Sequence, residues 1–309
     1  MLTRETTCTD SKRGDNGIIP IVVSMTAVLM LGCPEDKTDT KADETSTDTK
    51  RKEEKESETK PEGSQGCRKG ETSPETGELT LTLEGEEAPY LVTLPDEYDG
   101  ATPMPMVFTF HGANRTHKEM YNVDAAKIKS TLGKENIMVY PKSQGGSAWT
   151  GGSQLDINTQ FFEKLYDRMR EDYCVDDAKV FAVGLSSGGG FTNVLACRYG
   201  DILRAVGPVS SFMMETECKG EVAAMVIHGE RDSVVAPENG EETRDFYLSR
   251  SGCGDKTVDF DIEPCVIYEG CADETPVGWC QHGEPTYEDT NHGWPSFASE
   301  ALAEFFKAL

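Results

Sequence analysis

The 309-residue sequence contains no run of about 20 apolar residues, which excludes a polytopic membrane protein. It is short of positive charge: 30 Lys and Arg stand against 55 Asp and Glu, a formal charge of −25. A polyanion of this kind is repelled by phosphate backbones, so no nucleic-acid partner is expected. Ten cysteines are present, but paired C-x2-C units are absent, so neither a metal site nor a cofactor is expected. Residues 34–77 lack aromatic residues entirely and are dense in Lys, Glu, Asp, Ser and Thr. Such a segment cannot bury enough apolar surface to offset chain entropy and reads as a disordered charged linker. No internal repeat is found.

What precedes the linker is a short apolar stretch, Ile18 to Leu31, with Lys12 and Arg13 before it. Its length suits a signal-peptide core rather than a membrane span. Gly32-Cys33 resembles a bacterial lipoprotein processing site, with Cys33 as the lipidated residue. Met30-Leu31 and the acidic residues Glu5, Asp10 and Asp15 depart from that pattern. The expected organisation is therefore a leader over 1–33, the linker over 34–77 and one catalytic domain over 78–309. That domain carries 18 basic and 39 acidic residues, a charge of −21, so the acidity belongs mainly to the folded part. The protein is expected to be exported, either lipid-anchored at the cell envelope or secreted. Membrane contact would run through the anchor alone, and the domain is expected to be monomeric.

From residue 78 the hydrophobic pattern changes. Leu79–Leu83 and Tyr90–Leu94 alternate as an antiparallel pair would. Met106–Phe110, Ile137–Tyr140, Val180–Val183, Ala205–Val209, Ala223–Ile227 and Cys265–Tyr268 are short β-rich runs suited to buried parallel strands. Helical spacing falls between them, at about 118–131, 159–172, 188–198, 239–251 and 297–307. Strands alternating with helices over this length predict an open α/β sheet, mostly parallel, with its reactive site at the carboxyl ends of the strands.

The strongest motif is Gly184-Leu185-Ser186-Ser187-Gly188, placed between the strand Val180–Val183 and a helix. This is G-x-S-x-G in strand–turn–helix context, which resembles the nucleophile elbow of α/β-hydrolases. A serine hydroxyl needs a base to take its proton and an acid to orient that base. The hydrolase chain order is Ser, then Asp or Glu, then His. Asp232 follows the strand ending in His228-Gly229 and is the favoured acid, with Glu230 and Asp255 as alternatives. Beyond it stand only His282 and His292, and His292, just before the last helix, is the favoured base. The strand ending in His111-Gly112 points to the Ala113 N–H, together with the Ser187 N–H, as oxyanion donors. His111 itself reads as structural.

FHGANRT, YCVDDAKVFAVGLSSGG, VIHGERDSVV, CVIYEGCADETPVGWC and HGWP occur in this order. Together they resemble the polyhydroxybutyrate depolymerase/feruloyl esterase family of secreted carbohydrate esterases, over roughly residues 80–308. The cysteine-rich stretch before His292 is more similar to feruloyl esterases. The resemblance implies an α/β-hydrolase fold and Ser186, Asp232 and His292 as the triad. One departure is Asn291, where family members usually carry Gly.

Setting aside Cys8 and Cys33, eight cysteines remain for an exported domain, an even number that reads as disulfides. Predicted topology suggests Cys174–Cys197, Cys253–Cys265 and Cys271–Cys280, leaving Cys67–Cys218. Trp149, Trp279 and Trp294 all fall in predicted loops at the reactive edge. They read either as packing residues or as an aromatic wall for a sugar or phenolic acyl group. The expected activity is hydrolysis of feruloyl or acetyl esters on polysaccharide. Polyhydroxyalkanoate is the runner-up substrate, and a peptidase or a non-catalytic surface binding protein comes third.

Overall fold

The computed structural model describes residues 63–68, 74–122, 127–286 and 289–309. The expected signal segment, Cys33 and most of the expected linker lie outside the described residues. Strand β1 (Gly77–Leu83) alternates half-buried and exposed side chains, as Leu79, Leu81 and Leu83 require. Glu84 and Gly85, both at positive φ, turn it into β2 (Glu86–Thr93), a two-residue hairpin with the right twist for its strands.

Ten strands form one sheet in the order β1-β2-β4-β3-β5-β6-β7-β10-β9-β8. Its parallel centre comprises β4 (Ile137–Pro141), β3 (Met104–Phe110), β5 (Val175–Leu185), β6 (Ala205–Val209), β7 (Ala223–Gly229) and β10 (Val277–His282). Antiparallel strands close both sides: β1 and β2 on one, β9 (Cys265–Tyr268) and β8 (Thr257–Asp259) on the other. The chain leaves β3 outward to β4 and returns to β5 on the other flank of β3. The switch point where ligands bind in such sheets thus lies between β3 and β5.

Strand residues alternate between two buried layers. Met106, Phe108 and Phe110 of β3 join Phe161, Phe162, Leu165 and Met169 of α3 (Ser153–Asp172). Phe191 and Leu195 of α4 (Ser187–Arg198) and Tyr247 of α5 (Pro237–Ser251) complete that layer. On the opposite face Val107, Phe181 and Val183 meet Met120 of α1 (His117–Asn122) and Ile128 of α2 (Ile128–Thr131). Leu302, Phe305 and Phe306 of α6 (Ala298–Lys307) cover the rest, with Phe306 stacked on Phe181 at 4.3 Å. This is the α/β-hydrolase fold, with helices on both faces of a mostly parallel sheet.

The structure departs from the sequence expectations in four places. The helix expected over 118–131 is interrupted at Lys127, whose φ of 49° separates α2 from the chain after α1, with 123–126 outside the described residues. Cys265–Tyr268 is an antiparallel strand near the sheet margin, and the parallel place beside β7 is taken by β10. The sequence VGWCQH of β10 mixes small, polar and aromatic residues and carries no clear strand period. Residues 63–68, expected in the linker, are fixed to the domain. Buried Ser64 donates its hydroxyl to the Tyr173 carbonyl at 2.6 Å and accepts the Val175 N–H at 2.9 Å.

The cysteine pairing is the fourth correction. All eight domain cysteines are bridged, as Cys67–Cys174, Cys197–Cys218, Cys253–Cys271 and Cys265–Cys280. None of Cys174–Cys197, Cys253–Cys265, Cys271–Cys280 and Cys67–Cys218 forms. Cys265 and Cys280 stand opposite each other in the β9/β10 register, a relation invisible while β10 is read as a loop. The turn at Gln65–Arg68 docks beside Tyr173 and takes Cys174, which leaves Cys197 to Cys218.

Candidate active site

The turn expected to be the nucleophile elbow is built by close packing. A Cβ at position 184 would stand 2.3 Å from the Gly188 carbonyl oxygen. One at 188 would stand 2.3 Å from the Phe110 carbonyl oxygen and 2.6 Å from that of His111. Only glycine therefore lets β5 turn into α4 this tightly against the end of β3. Ser186 sits between them at φ 55° and ψ −118°, a strained conformation that costs about 1–3 kcal/mol. Its N–H donates to the Val209 carbonyl and its own carbonyl accepts from Gly190 N–H, both at 2.9 Å.

Asp232 and His292, some 60 residues apart in sequence, meet through a 2.8 Å hydrogen bond from Nδ1–H to Oδ2. The other carboxylate oxygen of Asp232 accepts the N–H groups of Val234 and Val235, both at 2.9 Å. Burial alone would raise the Asp232 pKa. The His292 hydrogen bond and the two backbone donors outweigh it and hold the carboxyl below its ordinary value. Glu230 and Asp255, the alternative acids, are exposed. The alternative base His282 is buried edge-on to Phe297, and neither ring nitrogen has a hydrogen-bond partner among the described residues.

A chain of bonds links this pair to the elbow. The Ser210 hydroxyl, fully buried, donates to the Gly293 carbonyl at 3.2 Å and stands 3.3 Å from the Gly293 N–H. Ser210 follows Val209, which holds the Ser186 N–H. The Asp232 turn and the His292 loop are joined directly, since Ser233 N–H donates to the Thr290 carbonyl at 3.1 Å. Asn291 has φ 57°, the left-handed region. Asn is one of the few non-glycine residues that tolerate it.

His111 accepts the Ser143 N–H at Nε2 (3.2 Å) and donates from Nδ1 to the Gly112 carbonyl (2.8 Å), which fixes a neutral tautomer. Burial pushes its pKa down to about 4. Position 112 lies against this turn, where a Cβ would be 3.7 Å from the Ser186 Cβ, so Ala113 follows directly beside Ser186. Ser187 opens α4, and its N–H is among the four with no acceptor inside a helix.

The tryptophans do not form a wall. Trp149 is 1% exposed, stacks on Phe191 at 5.2 Å and donates its indole N–H to the His111 carbonyl at 2.8 Å. It is a core residue that braces the β3 end. Trp279 lies within β10, buried, with Arg244 5.1 Å above its ring. Trp294 is half-buried and bonded to the Ser299 hydroxyl at 3.0 Å.

Sequence reasoning missed the groups that brace these loops. Buried Asn158 of α3 accepts the Gln144 N–H at 2.7 Å and donates to the Gln154 carbonyl at 2.8 Å and the Trp149 carbonyl at 3.2 Å. Buried Asn193 of α4 donates to the Phe212 carbonyl at 3.0 Å and accepts the Tyr247 hydroxyl at 2.9 Å. A polar residue on an otherwise apolar helix face, as Asn158 is beside Phe161 and Phe162, was the signal available.

No protein-family model matches the chain. The chain is 27% identical to feruloyl esterase D of Neurospora crassa over 266 residues, 79% of this chain and 89% of that protein. It is 30% identical to feruloyl esterase C of Emericella nidulans over 264 residues, 77% of this chain and 92% of that protein. Among solved structures, the acetyl xylan esterase from Aspergillus awamori shares the fold. The TM-score is 0.52 at 18% identity, covering 66% of this chain and 92% of that one. With a 30% identical relative covered over nine-tenths of its length, the chain belongs to the feruloyl esterase family and is a carboxylic ester hydrolase.

Proposed function

We propose that the protein is an exported serine esterase that cleaves feruloyl or acetyl esters of plant-type polysaccharide through a Ser186–His292–Asp232 triad. The observation that carries this reading is the 2.8 Å bond between His292 and Asp232, tied through Ser210 and Val209 to the strained Ser186 turn. The relatives' named activity favours the feruloyl class. Four disulfides suit an oxidising compartment outside the cytosol, and attachment to a membrane would run through lipidated Cys33 alone.

The Ser186 hydroxyl oxygen attacks the ester carbonyl carbon, and its proton passes to His292 Nε2. The carbonyl electron pair moves onto oxygen, where the Ala113 and Ser187 N–H groups hold the oxyanion. Collapse breaks the bond to the sugar oxygen, which leaves with the proton from His292. Water then attacks the acyl-enzyme with His292 as base, releasing ferulate or acetate and restoring Ser186. Asp232 stays ionised throughout and stabilises the imidazolium formed in both steps.

The test compares methyl ferulate, acetylated xylan and polyhydroxybutyrate under one set of conditions. Release of ferulate or acetate with no attack on the polyester is expected. Cleavage of the polyester alone would overturn the substrate assignment.

A further inference from the structure

Behind the proposed triad lies a histidine with no part in the steps above. His228, next to the end of β7, is 1% exposed. Its Nε2 lies 3.0 Å from the Val235 carbonyl oxygen and 3.5 Å from Asp232 Oδ2. A carbonyl oxygen and a carboxylate oxygen can only accept, so Nε2 carries the proton. Nδ1 is then a bare acceptor, buried without a hydrogen-bond partner among the described residues. The ring is pressed onto α5 at Gly240, where a Cβ would stand 2.4 Å from Cγ and 2.5 Å from Nδ1. The glycine gives the ring its seat. Titratable groups facing it are Asp232, His292, Glu241 and His282. Burial, the largest influence, holds its pKa below the ordinary histidine range, which favours the neutral ring.

Val235 is engaged twice. Its carbonyl accepts from His228, and its N–H donates to Asp232 Oδ1 at 2.9 Å. Ring, turn and carboxylate therefore close a cycle of contacts around Asp232. We infer that His228 is a positioning residue for the esterase reaction, locking the 232–235 turn so that the Asp232 carboxylate cannot rotate away from His292. The inference rests on Asp232 being the triad acid. A carboxylate free to turn would offer Oδ2 to His292 for part of the time only, and the transition state would lose the partner of its imidazolium.

The experiment measures kcat and KM on methyl ferulate for His228→Leu and His228→Gln, each in the native and the Asp232→Asn background. Leucine removes the donor, whereas glutamine carries an N–H to about the position of the histidine Nε2. His228→Leu is expected to lower kcat about tenfold with KM within about twofold, and His228→Gln to recover most of the loss. With Asp232→Asn already present, His228→Leu lowers kcat no further. An equal loss in both backgrounds, or a loss that glutamine does not relieve, overturns the positioning role. Gly240→Ala is an independent route, since its methyl group pushes the ring off Val235 and is expected to lower kcat in the same way. If His228→Leu does not fold, undiminished kcat in Gly240→Ala overturns the inference. An Asp232→Asn enzyme with full kcat would overturn the triad reading itself.

Discussion

Asp232 is held by the His292 ring and by two backbone N–H groups, and each favours its ionised form. Replacing it with asparagine keeps the shape but removes the charge that the proposed mechanism sets against the imidazolium. Asp232→Asn is expected to lower kcat about 10⁴-fold with little change in KM, read from saturation curves on methyl ferulate. Its folded-state pKa lies below the unfolded value of about 3.9, so the ionised group stabilises the fold above that pH. That contribution is lost as pH falls through the folded pKa, and acid unfolding of Asp232→Asn is expected to depend less steeply on pH there. His111 behaves differently, because its pKa is depressed to about 4 and the unfolded ring takes up a proton near 6.5. Stability is therefore expected to fall by up to about 3 kcal/mol between pH 6.5 and 4, and His111→Gln to flatten that slope in denaturant melts. Ser186, Asp232 and His292 were legible as candidates because a motif, a strand end and a scarcity of histidines single them out. Ser210 was not, since its partner Gly293 lies 83 residues away. His228 and Asn158 bond to turns nearby in sequence, and only Asn158, polar on an apolar helix face, left a signal. Trp149 misled because its indole N–H satisfies the His111 carbonyl inside the core rather than facing a ligand.

At the scale of elements, the Cys67–Cys174 bridge secures residues 63–68 beside the amino end of β5, whose carboxyl end carries Ser186. Its ends are 107 residues apart, so removing it releases a large loop in the unfolded chain. The Cys67→Ser/Cys174→Ser pair is expected to lose about 4–5 kcal/mol in urea unfolding, more than any of the three shorter bridges. The parallel strands β3 to β7 were readable from their Val, Ile, Phe and Ala runs, and the elbow helix from its motif. Strand β10 was not, because buried Gly278, Trp279 and Cys280 have no period that separates strand from loop. The cysteine pairing failed with it, since Cys265 and Cys280 are brought together by a register and not by spacing.

The whole molecule carries 55 acidic and 30 basic residues, of which 39 and 18 lie in residues 78–309, a charge of −21. Self-repulsion of this surface opposes the compact state, and added salt screens it. The melting temperature is expected to rise between about 10 mM and 0.5 M sodium chloride, where the Debye length shrinks from about 30 Å to a few ångströms. In the proposed mechanism the chemistry depends on one strained serine at the switch point of the sheet, Ser186. Initial rates of methyl ferulate hydrolysis by the wild-type protein and by Ser186→Ala, measured side by side at neutral pH, test this most directly. Ferulate release by the wild type, reduced by at least about 10⁴-fold in Ser186→Ala, is the predicted result. Equal rates for the two proteins would contradict the account.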